Sequence, residues 1–210
     1  MLNLNHVYVT LDGYPLHYHF SVKAKEIVAI QGASGVGKTT LLNVIAGFIA
    51  PDEGQIVWDN TELTALPVDR RPVAMLFQDH NLFEHLTVMD NLRLGFDQEA
   101  PEHLIKQSAL TLGVSEHLTK KPHQLSGGQR QRIGLLRTLL RPEPIILLDE
   151  PFAELDPTTR ELAGNWVREI AKSAKKTVLL VTHQHEDVER VADRRIELRY
   201  PEAPLDTAKA

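Results

Sequence analysis

The sequence predicts an α/β fold with a mainly parallel sheet. Four short apolar runs, each typical of a buried strand, alternate with longer segments of helical periodicity. This alternation favours parallel strands with helices covering both faces of the sheet. Each apolar run also ends at a polar residue or a glycine loop, and the four runs are residues 27–30, 73–77, 145–148 and 177–182.

The strands outside this set follow from alternation and turn residues. Residues 2–10 and 16–23 alternate apolar and polar side chains, which predicts a small antiparallel β subdomain at the N-terminus. The turn at 51–54 precedes a short strand that ends at Trp58. Residues 196–198 are expected to add a short edge strand.

The helices follow from 3.6-residue periodicity. They are expected at 39–48, 87–96, 101–112, from about 127, and at 158–173. The middle of the chain, about 85–140, is therefore predicted to form a helical subdomain within a single domain of residues 1–200. Residues 201–210 are predicted to be a flexible tail.

Composition excludes several classes of protein. The 210 residues include 23 Lys plus Arg against 28 Asp plus Glu, a net charge of -5, which argues against a nucleic-acid partner. There are no cysteines, so disulfides and thiolate metal sites are excluded. The N-terminus does not resemble a signal peptide and no apolar run reaches the ~20 residues that span a bilayer. We expect a cytoplasmic protein whose membrane role depends on a partner.

Residues 32–39 match the phosphate-loop pattern in full, between a predicted strand and a predicted helix. Glycines let successive backbone N–H groups face the phosphates of a nucleotide, Lys38 reaches the β- and γ-phosphates, and the Thr39 hydroxyl binds Mg²⁺. An ordinary glycine turn is the alternative. The predicted ATP-binding residues here are Gly32, Ala33, Ser34, Gly35, Val36, Gly37, Lys38, Thr39 and Thr40.

Polar side chains follow the other three apolar runs. Asp149 is a candidate Mg²⁺ ligand, and Glu150 is a candidate general base for an attacking water. Gln78 is a candidate contact to Mg²⁺ or that water, and His183 a candidate donor to the γ-phosphate. Because carboxyl ends of parallel strands meet at one edge of a sheet, these residues are expected to converge.

Most of these side chains also have a purely structural interpretation. Asp149 and Glu150 could be an acidic pair at a strand exit, and Gln78 a solvated strand end. His185 and Asp187, near His183, are interpreted as solvated residues at a helix start. Arg70 and Arg71 are interpreted as a solvated pair before a strand.

A second glycine segment, residues 125–129, opens an amphipathic helical pattern far downstream. The N–H groups of a helix start bind anions, and Gly127 and Gly128 would let a phosphate approach closely, with Ser126 and Gln129 beside them. A single chain does not easily wrap one nucleotide with two such surfaces. The sequence therefore suggests that two copies share their nucleotides.

Two further features have local alternatives. Leu82, Phe83 and Leu86 are large apolar residues in a predicted loop, which indicates either a partner surface or packing under the helical subdomain. Asp156, before Pro157, is either a nucleotide contact or the N-cap of a helix.

Together these segments resemble the ATP-binding cassette (ABC) ATPase family, and the match covers nearly the whole chain. The matching residues, in the family's order, are Gly32 to Thr39, Gln78, Leu125 to Gln129, Ile145 to Glu150, Asp156 and His183. The resemblance implies a P-loop NTPase core, ATP and Mg²⁺ as ligands, and a head-to-tail dimer that sandwiches two ATP molecules. Residues 126–129 and Asp156 would then contact the nucleotide.

Within that family the chain looks most like ATPase subunits of bacterial binding-protein-dependent importers. Residues 71–78, 81–83 and 85–88 are similar to those of thiamine-importer ATPases. This resemblance implies that residues 78–86 receive a transmembrane permease at the inner face of the cell membrane, with a periplasmic binding protein as an indirect partner. The alternatives are an exporter or lipoprotein-release ATPase, a DNA-repair or ribosome-associated ABC protein, and an inactive binding module.

The chain departs from the family at two places. The family usually has Ser-Ala-Leu-Asp where this chain has Ala153, Glu154, Leu155 and Asp156. The aromatic residue that stacks on adenine is expected near Leu11, which is not aromatic, so Tyr14 and Tyr8 remain as alternatives.

Overall fold

The computed structural model describes residues 1–79, 82–96 and 98–200. The predicted tail at 201–210 lies outside the described residues, as do His80 and Asn81 of the predicted apolar loop.

The first of two sheets is antiparallel and confirms the predicted N-terminal β subdomain. Its strands are β1 (Leu2–Leu11), β2 (Tyr14–Val22), β4 (Glu53–Trp58) and β5 (Thr61–Glu62), in the order β2-β1-β4-β5. Apolar residues of β1, among them Leu2, Leu4, Val7 and Val9, are buried on one face. The short strand β5 was not predicted, because two polar residues carry no alternation.

The second sheet confirms the predicted parallel core. Its strands are β3 (Ile27–Gln31), β6 (Val73–Leu76), β7 (Ile145–Asp149), β8 (Thr177–Val181) and β9 (Arg194–Glu197). Their order is β6-β7-β8-β3-β9, and every neighbouring pair is parallel. The carboxyl ends of these strands therefore lie along one edge of the sheet.

Six α-helices accompany the two sheets in the described chain. They are α1 (Lys38–Ala46), α2 (Val88–Arg93), α3 (Glu102–Thr111), α4 (Gly127–Leu139), α5 (Pro157–Ser173) and α6 (His185–Val191), with 3₁₀ turns at Val68–Arg70, Ser115–His117 and Pro122–Gln124. Among these residues no helix is long and apolar enough to cross a membrane.

Alternate residues of β7 join two different hydrophobic clusters. Ile146 and Leu148 pack with buried residues of α4 and α5, whereas Ile145 and Leu147 pack with α1 and the antiparallel sheet. The parallel sheet is thus covered on both faces, which explains why its central strands are apolar throughout rather than alternating.

Arg71 corrects the interpretation of Arg70 and Arg71 as a solvated pair. Arg70 is exposed, but only 5% of Arg71 is accessible to solvent. The Arg71 guanidinium donates to the carbonyls of Val44 and Ile45 at the end of α1, each at 2.9 Å. It also donates to the carbonyls of Leu66 and Thr64, each at 3.0 Å. The last carbonyls of a helix lack partners within it, and this side chain supplies them.

We expect Arg71→Ala to lower the free energy of unfolding by about 2–4 kcal/mol, because buried carbonyls lose charged donors. Arg70→Ala is the matched control and should change stability by less than about 0.5 kcal/mol. Urea unfolding of both variants measures the difference. Equal stability of the two variants would contradict the buried role of Arg71.

Candidate active site

The predicted phosphate loop connects β3 to α1 at the carboxyl edge of the parallel sheet. Gly37, with φ of +96°, lies at the N-cap of α1. A methyl group at this position would lie 2.6 Å from the hydroxyl of Tyr18. That hydroxyl donates to the Gly37 carbonyl at 2.8 Å. The position therefore requires glycine for both its backbone angle and its close neighbour.

Lys38 is almost fully buried beneath this loop. Its Nζ donates to the carbonyls of Gly32 and Ala33, each at 2.9 Å. Burial lowers the pKa of Lys38, and the negative charges of Glu150 and Asp149 oppose that shift. An ammonium group held by the carbonyls of a glycine loop supplies a positive charge for a phosphate.

Asp149 and Glu150 lie at the end of β7, as the strand pattern predicts. Asp149 is buried, and burial raises its pKa, while a hydrogen bond with the Thr39 side chain and the charge of Lys38 lower it. Burial also raises the pKa of Glu150, with the His183 side chain opposing the shift and Asp149 adding to it. Both carboxyls thus carry a charge that the surrounding protein only partly compensates.

The backbone of Glu150 is held in a conformation that non-glycine residues rarely adopt, with φ of +48°. Its N–H donates to the Val181 carbonyl at 3.0 Å. Its carbonyl accepts from Nε2 of Gln131 on α4 at 2.9 Å. Such strain persists where surrounding contacts over-determine it, and it is frequent at functional sites. No pattern in the sequence indicates a role for Gln131, whose side chain is buried with 1% exposed.

The side chain of His183 lies next to Glu150. Its Nε2 is 3.2 Å from Oε1 of Glu150, but the two atoms do not have the orientation of a hydrogen bond. The buried Oε1 of Glu150 therefore has no hydrogen-bond partner among the described residues and can accept from a further donor. A water molecule in the cleft would be such a donor.

These residues line a cleft of about 1260 Å³. Of the predicted site residues it includes Ser34, Gly35, Gly37, Lys38, Thr39, Thr40, Gln78, Asp149, Glu150 and His183. The convergence of three further strand ends with the phosphate loop is therefore present in the structure. Gly32, Ala33 and Val36 lie in the loop but outside the lining.

Asp187 also lines this cleft, and the interpretation that it is solvated is wrong. It is buried on α6, and it accepts a hydrogen bond from the Thr182 hydroxyl at 2.9 Å. Thr182, which follows β8, is thereby bonded to the first turn of α6. His185 is exposed, as expected.

Three aromatic residues bear on the adenine contact. Tyr14 lines the cleft with Leu11, and 74% of Tyr14 is exposed. Tyr8 instead stacks on His17, with 4.3 Å between ring centroids, and it is not among the described residues that line the cleft. Tyr200, which no pattern in the sequence indicates, lines the cleft and donates through its hydroxyl to the Ser34 carbonyl at 2.7 Å. Only the pairing of β9 with β3 brings this residue to the loop.

The second glycine segment, residues 125–129, does not line this cleft. None of its residues is among the described residues that line the cleft. Ser126 is the N-cap of α4, where its hydroxyl accepts from the Gln129 N–H at 3.3 Å and its own N–H donates to Oε1 of Gln129 at 2.9 Å. This capping box fixes the helix start and leaves Gly127 and Gly128 in its first turn.

Asp156 is also outside the lining of the cleft. It is the N-cap of α5, and its carboxylate accepts from the Thr159 N–H at 3.1 Å. The structural alternative therefore accounts for this residue, and a contact with nucleotide stays a prediction.

The segment after Gln78 divides the predicted apolar surface. Leu82 packs against the core cluster and Leu86 is half-buried, while 49% of Phe83 is exposed. Fully buried Asn91 holds the Phe83 backbone by accepting from its N–H at 2.8 Å and donating to its carbonyl at 3.1 Å. Of the three side chains, Phe83 is the one exposed to solvent, and hydrogen bonds from Asn91 hold its backbone in place.

Comparison with known proteins identifies the family. Residues 16–153 match the family described as ABC transporter. The chain belongs to the ABC transporter family. It is accordingly an ATPase that binds ATP, and its fold is that of the P-loop NTPases, as predicted.

Individual ABC proteins resemble the chain over most of its length. It is 42% identical over 201 residues to the Thiamine import ATP-binding protein ThiQ of Escherichia coli (strain K12), covering 93% of this chain and 87% of that protein. It is 43% identical over 197 residues to the protein of the same name from Vibrio vulnificus (strain YJ016), covering 91% of this chain and 84% of that protein.

Solved ABC structures agree with this. The dimeric structure of MJ0796, a bacterial ABC transporter cassette, superposes with a TM-score of 0.83 at 30% identity, covering 94% of each chain. The same cassette in a post-hydrolysis state bound to ADP and Pi has a TM-score of 0.79 at 30% identity, covering 95% of this chain and 94% of that one.

The buried charge of Glu150 predicts a pH-dependent gain in stability for Glu150→Gln. The folded-state pKa is raised above the ordinary value of 4.5, so the folded protein binds more protons than the unfolded chain between those two values. The cost of the ionised carboxylate is therefore full above the folded pKa and disappears as the pH falls through it. We expect the variant to gain about 2–4 °C in Tm at pH 8, and little near pH 4.5.

Thermal unfolding without nucleotide between pH 4.5 and 8 measures this gain. Glu169→Gln, which removes an exposed carboxylate on α5, is the control and should give no such pH-dependent difference. A gain that is constant with pH, or a loss at pH 8, would contradict the assigned cost.

Proposed function

We propose that this chain is the ATP-hydrolysing subunit that energises a membrane permease for solute import, with thiamine or a related small molecule as the solute. The convergence of Lys38, Gln78, Asp149, Glu150 and His183 on one cleft carries the ATPase part of this proposal. The names of the relatives that are 42% and 43% identical support import over an exporter or lipoprotein-release system.

The phosphate loop binds the triphosphate in this proposal. Its backbone N–H groups and those at the start of α1, including Thr40, face the phosphate oxygens. Lys38 exchanges its two loop carbonyls for oxygens of the β- and γ-phosphates, so its buried charge gains a partner of opposite sign. Tyr14 and Tyr200 are then the aromatic side chains available to the base.

The residues beside Lys38 fit a magnesium ion. Burial raises the pKa of Asp149 and the neighbouring Thr39 side chain lowers it, and both side chains offer oxygen atoms as metal ligands. Among the described residues no cluster of three or more His, Asp or Glu could hold a metal alone. This agrees with Mg²⁺, which is usually bound by one or two carboxylates plus substrate phosphates. Thr39, Asp149 and Gln78 would hold the ion, which would neutralise charge on the phosphates.

Glu150 is the general base for the water that attacks the γ-phosphorus. The water transfers a proton to the Glu150 carboxylate, its oxygen bonds to phosphorus, and the bond to the β–γ bridging oxygen breaks, giving ADP and phosphate. A raised pKa suits a base, because it strengthens the affinity for that proton. Gln78 orients the water, and His183 donates a hydrogen bond to the γ-phosphate.

The second glycine segment completes the nucleotide site of another copy. Because it lies outside the cleft of its own chain, we assign it to a head-to-tail dimer in which residues 126–129 of one copy cover the phosphate loop of the other. Asp156 is assigned to the same shared site. The dimeric state of the similar cassette MJ0796 supports this arrangement.

Residues 78–86 form the docking surface for the permease, at the inner face of the cell membrane. Phe83 is its exposed apolar side chain, and the Arg137 guanidinium lies 6.0 Å from the centre of its ring. A periplasmic binding protein delivers the solute to the permease and contacts this chain only indirectly. Residues 1–200 act in this proposal as one ATPase domain with a helical subdomain at about 85–140.

Glu150→Gln should reduce ATP turnover by at least about 100-fold, because the base is lost while the phosphate loop is intact. ATP should remain bound, and sedimentation should reveal a trapped dimer. In cells that depend on this chain, uptake of labelled thiamine should stop.

Glu169→Gln is the control and should leave turnover and uptake unchanged. Adding Ser126→Arg to the Glu150→Gln variant should abolish the dimer but retain ATP binding by the monomer. If Glu150→Gln hydrolyses ATP near the normal rate, Glu150 is not the base. If the dimer persists after Ser126→Arg is added, the shared site is refuted.

Phe83→Ser should reduce co-purification with the permease by about 30-fold or more, since loss of a central aromatic anchor typically costs 2 kcal/mol or more. Leu110→Ser is the matched control, because Leu110 is an apolar side chain on α3 that is 70% exposed. ATP turnover of the isolated subunit should be normal in both variants. If Phe83→Ser co-purifies with the permease as well as the unchanged protein does, residues 78–86 are not the docking surface.

A further inference from the structure

Glu154 lies over the two glycines of the second glycine segment. A methyl group on Gly127 would lie 1.9 Å from Oε2 of Glu154 and 3.0 Å from its Cδ. A methyl group on Gly128 would lie 3.1 Å from the Glu154 carbonyl oxygen. The space that the missing side chains leave free is therefore used by this glutamate.

The backbone of Glu154 is fixed in that place. Its N–H donates to Oε1 of Gln131 at 2.7 Å, and Nε2 of the same buried side chain donates to the Glu150 carbonyl. Gln131 thus anchors both ends of the turn between β7 and α5 to α4. Because the main chain cannot drift away from α4, the carboxylate of Glu154 stays within reach of the helix start.

The start of α4 attracts anions. Its unpaired N–H groups and the helix dipole favour a negative charge, and the helix has no acidic residue in its own first turn. The carboxylate of Glu154 comes from another part of the chain and lies beside Gly127, the first residue of this helix.

We propose that the Glu154 carboxylate is an internal competitor for the phosphate site at the start of α4, and so sets how much ATP is needed to close the dimer. The inference rests on the proposed shared site, in which the triphosphate bound to one copy contacts residues 126–129 of the other. To admit that triphosphate, Glu154 must leave Gly127, or two negative charges must share the helix start.

The size of the effect follows from the helix dipole. A carboxylate at a helix N-terminus contributes an amount that corresponds to about a two- to fivefold change in an equilibrium constant. A dimer has two such contacts, so removal of the charge should tighten dimer formation by about 4- to 25-fold. Added salt should reduce the difference, since the carboxylate is exposed and its field is screened.

The test uses sedimentation velocity with increasing ATP in the Glu150→Gln background, where hydrolysis does not deplete the dimer. Glu154→Gln keeps the size of the side chain and removes its charge, and Glu154→Ala removes both. Glu169→Gln, added to the same background, controls for net charge alone. We expect both changes at 154 to lower the ATP concentration at half-dimerisation, and the change at 169 to leave it unaltered.

The outcomes separate this inference from the proposed function. If Glu150→Gln alone forms no dimer at saturating ATP, the shared site itself fails. If it forms a dimer and Glu154→Gln has the same midpoint as its parent, the competitor role is overturned. A weaker dimer in either variant at 154 would overturn it too, because that result would mean Glu154 supports closure.

Discussion

Parallel pairing of β3, β6, β7 and β8 is the constraint on which the rest of the molecule depends. Strand β7 is bonded to β6 on one side and β8 on the other, and β8 is bonded in turn to β3. Residues that are widely separated in sequence therefore leave the sheet at the same edge. The phosphate loop, the two carboxylates, Gln78 and His183 owe their proximity to this backbone arrangement rather than to contacts among themselves.

The same arrangement brings charged side chains together at the edge of the parallel sheet, where water has little access to them. Lys38, Asp149 and Glu150 all have pKa values shifted by burial, each towards its neutral form. The protein alone compensates these charges incompletely, which is a cost to its stability. A substrate that brings phosphates and a divalent cation supplies the missing partners, so the site is arranged around a ligand more than around its own stability.

Much of this could be predicted from the sequence, because strands and glycine loops have local signals. The parallel core, the N-terminal antiparallel sheet and the strand-end positions of Asp149 and His183 follow from runs of apolar residues and what comes after them. Long-range burial has no such signal. Arg70 and Arg71 are adjacent and identical, yet one is exposed and the other is buried against the end of α1. Tyr200 reaches the phosphate loop only through the pairing of β9 with β3, and Glu154 reaches Gly127 only because the turn after β7 passes over α4.

The contacts of Arg71 have a mechanical consequence. Arg71 stands two residues before β6, the strand that leads to Gln78, and its guanidinium grips the last turn of α1, the helix that begins at Lys38. One side chain therefore fastens the end of α1 to the residues that enter β6. Lys38 and Gln78 lie at the opposite ends of these two elements, so a contact outside the cleft fixes the spacing between two of the segments that line it.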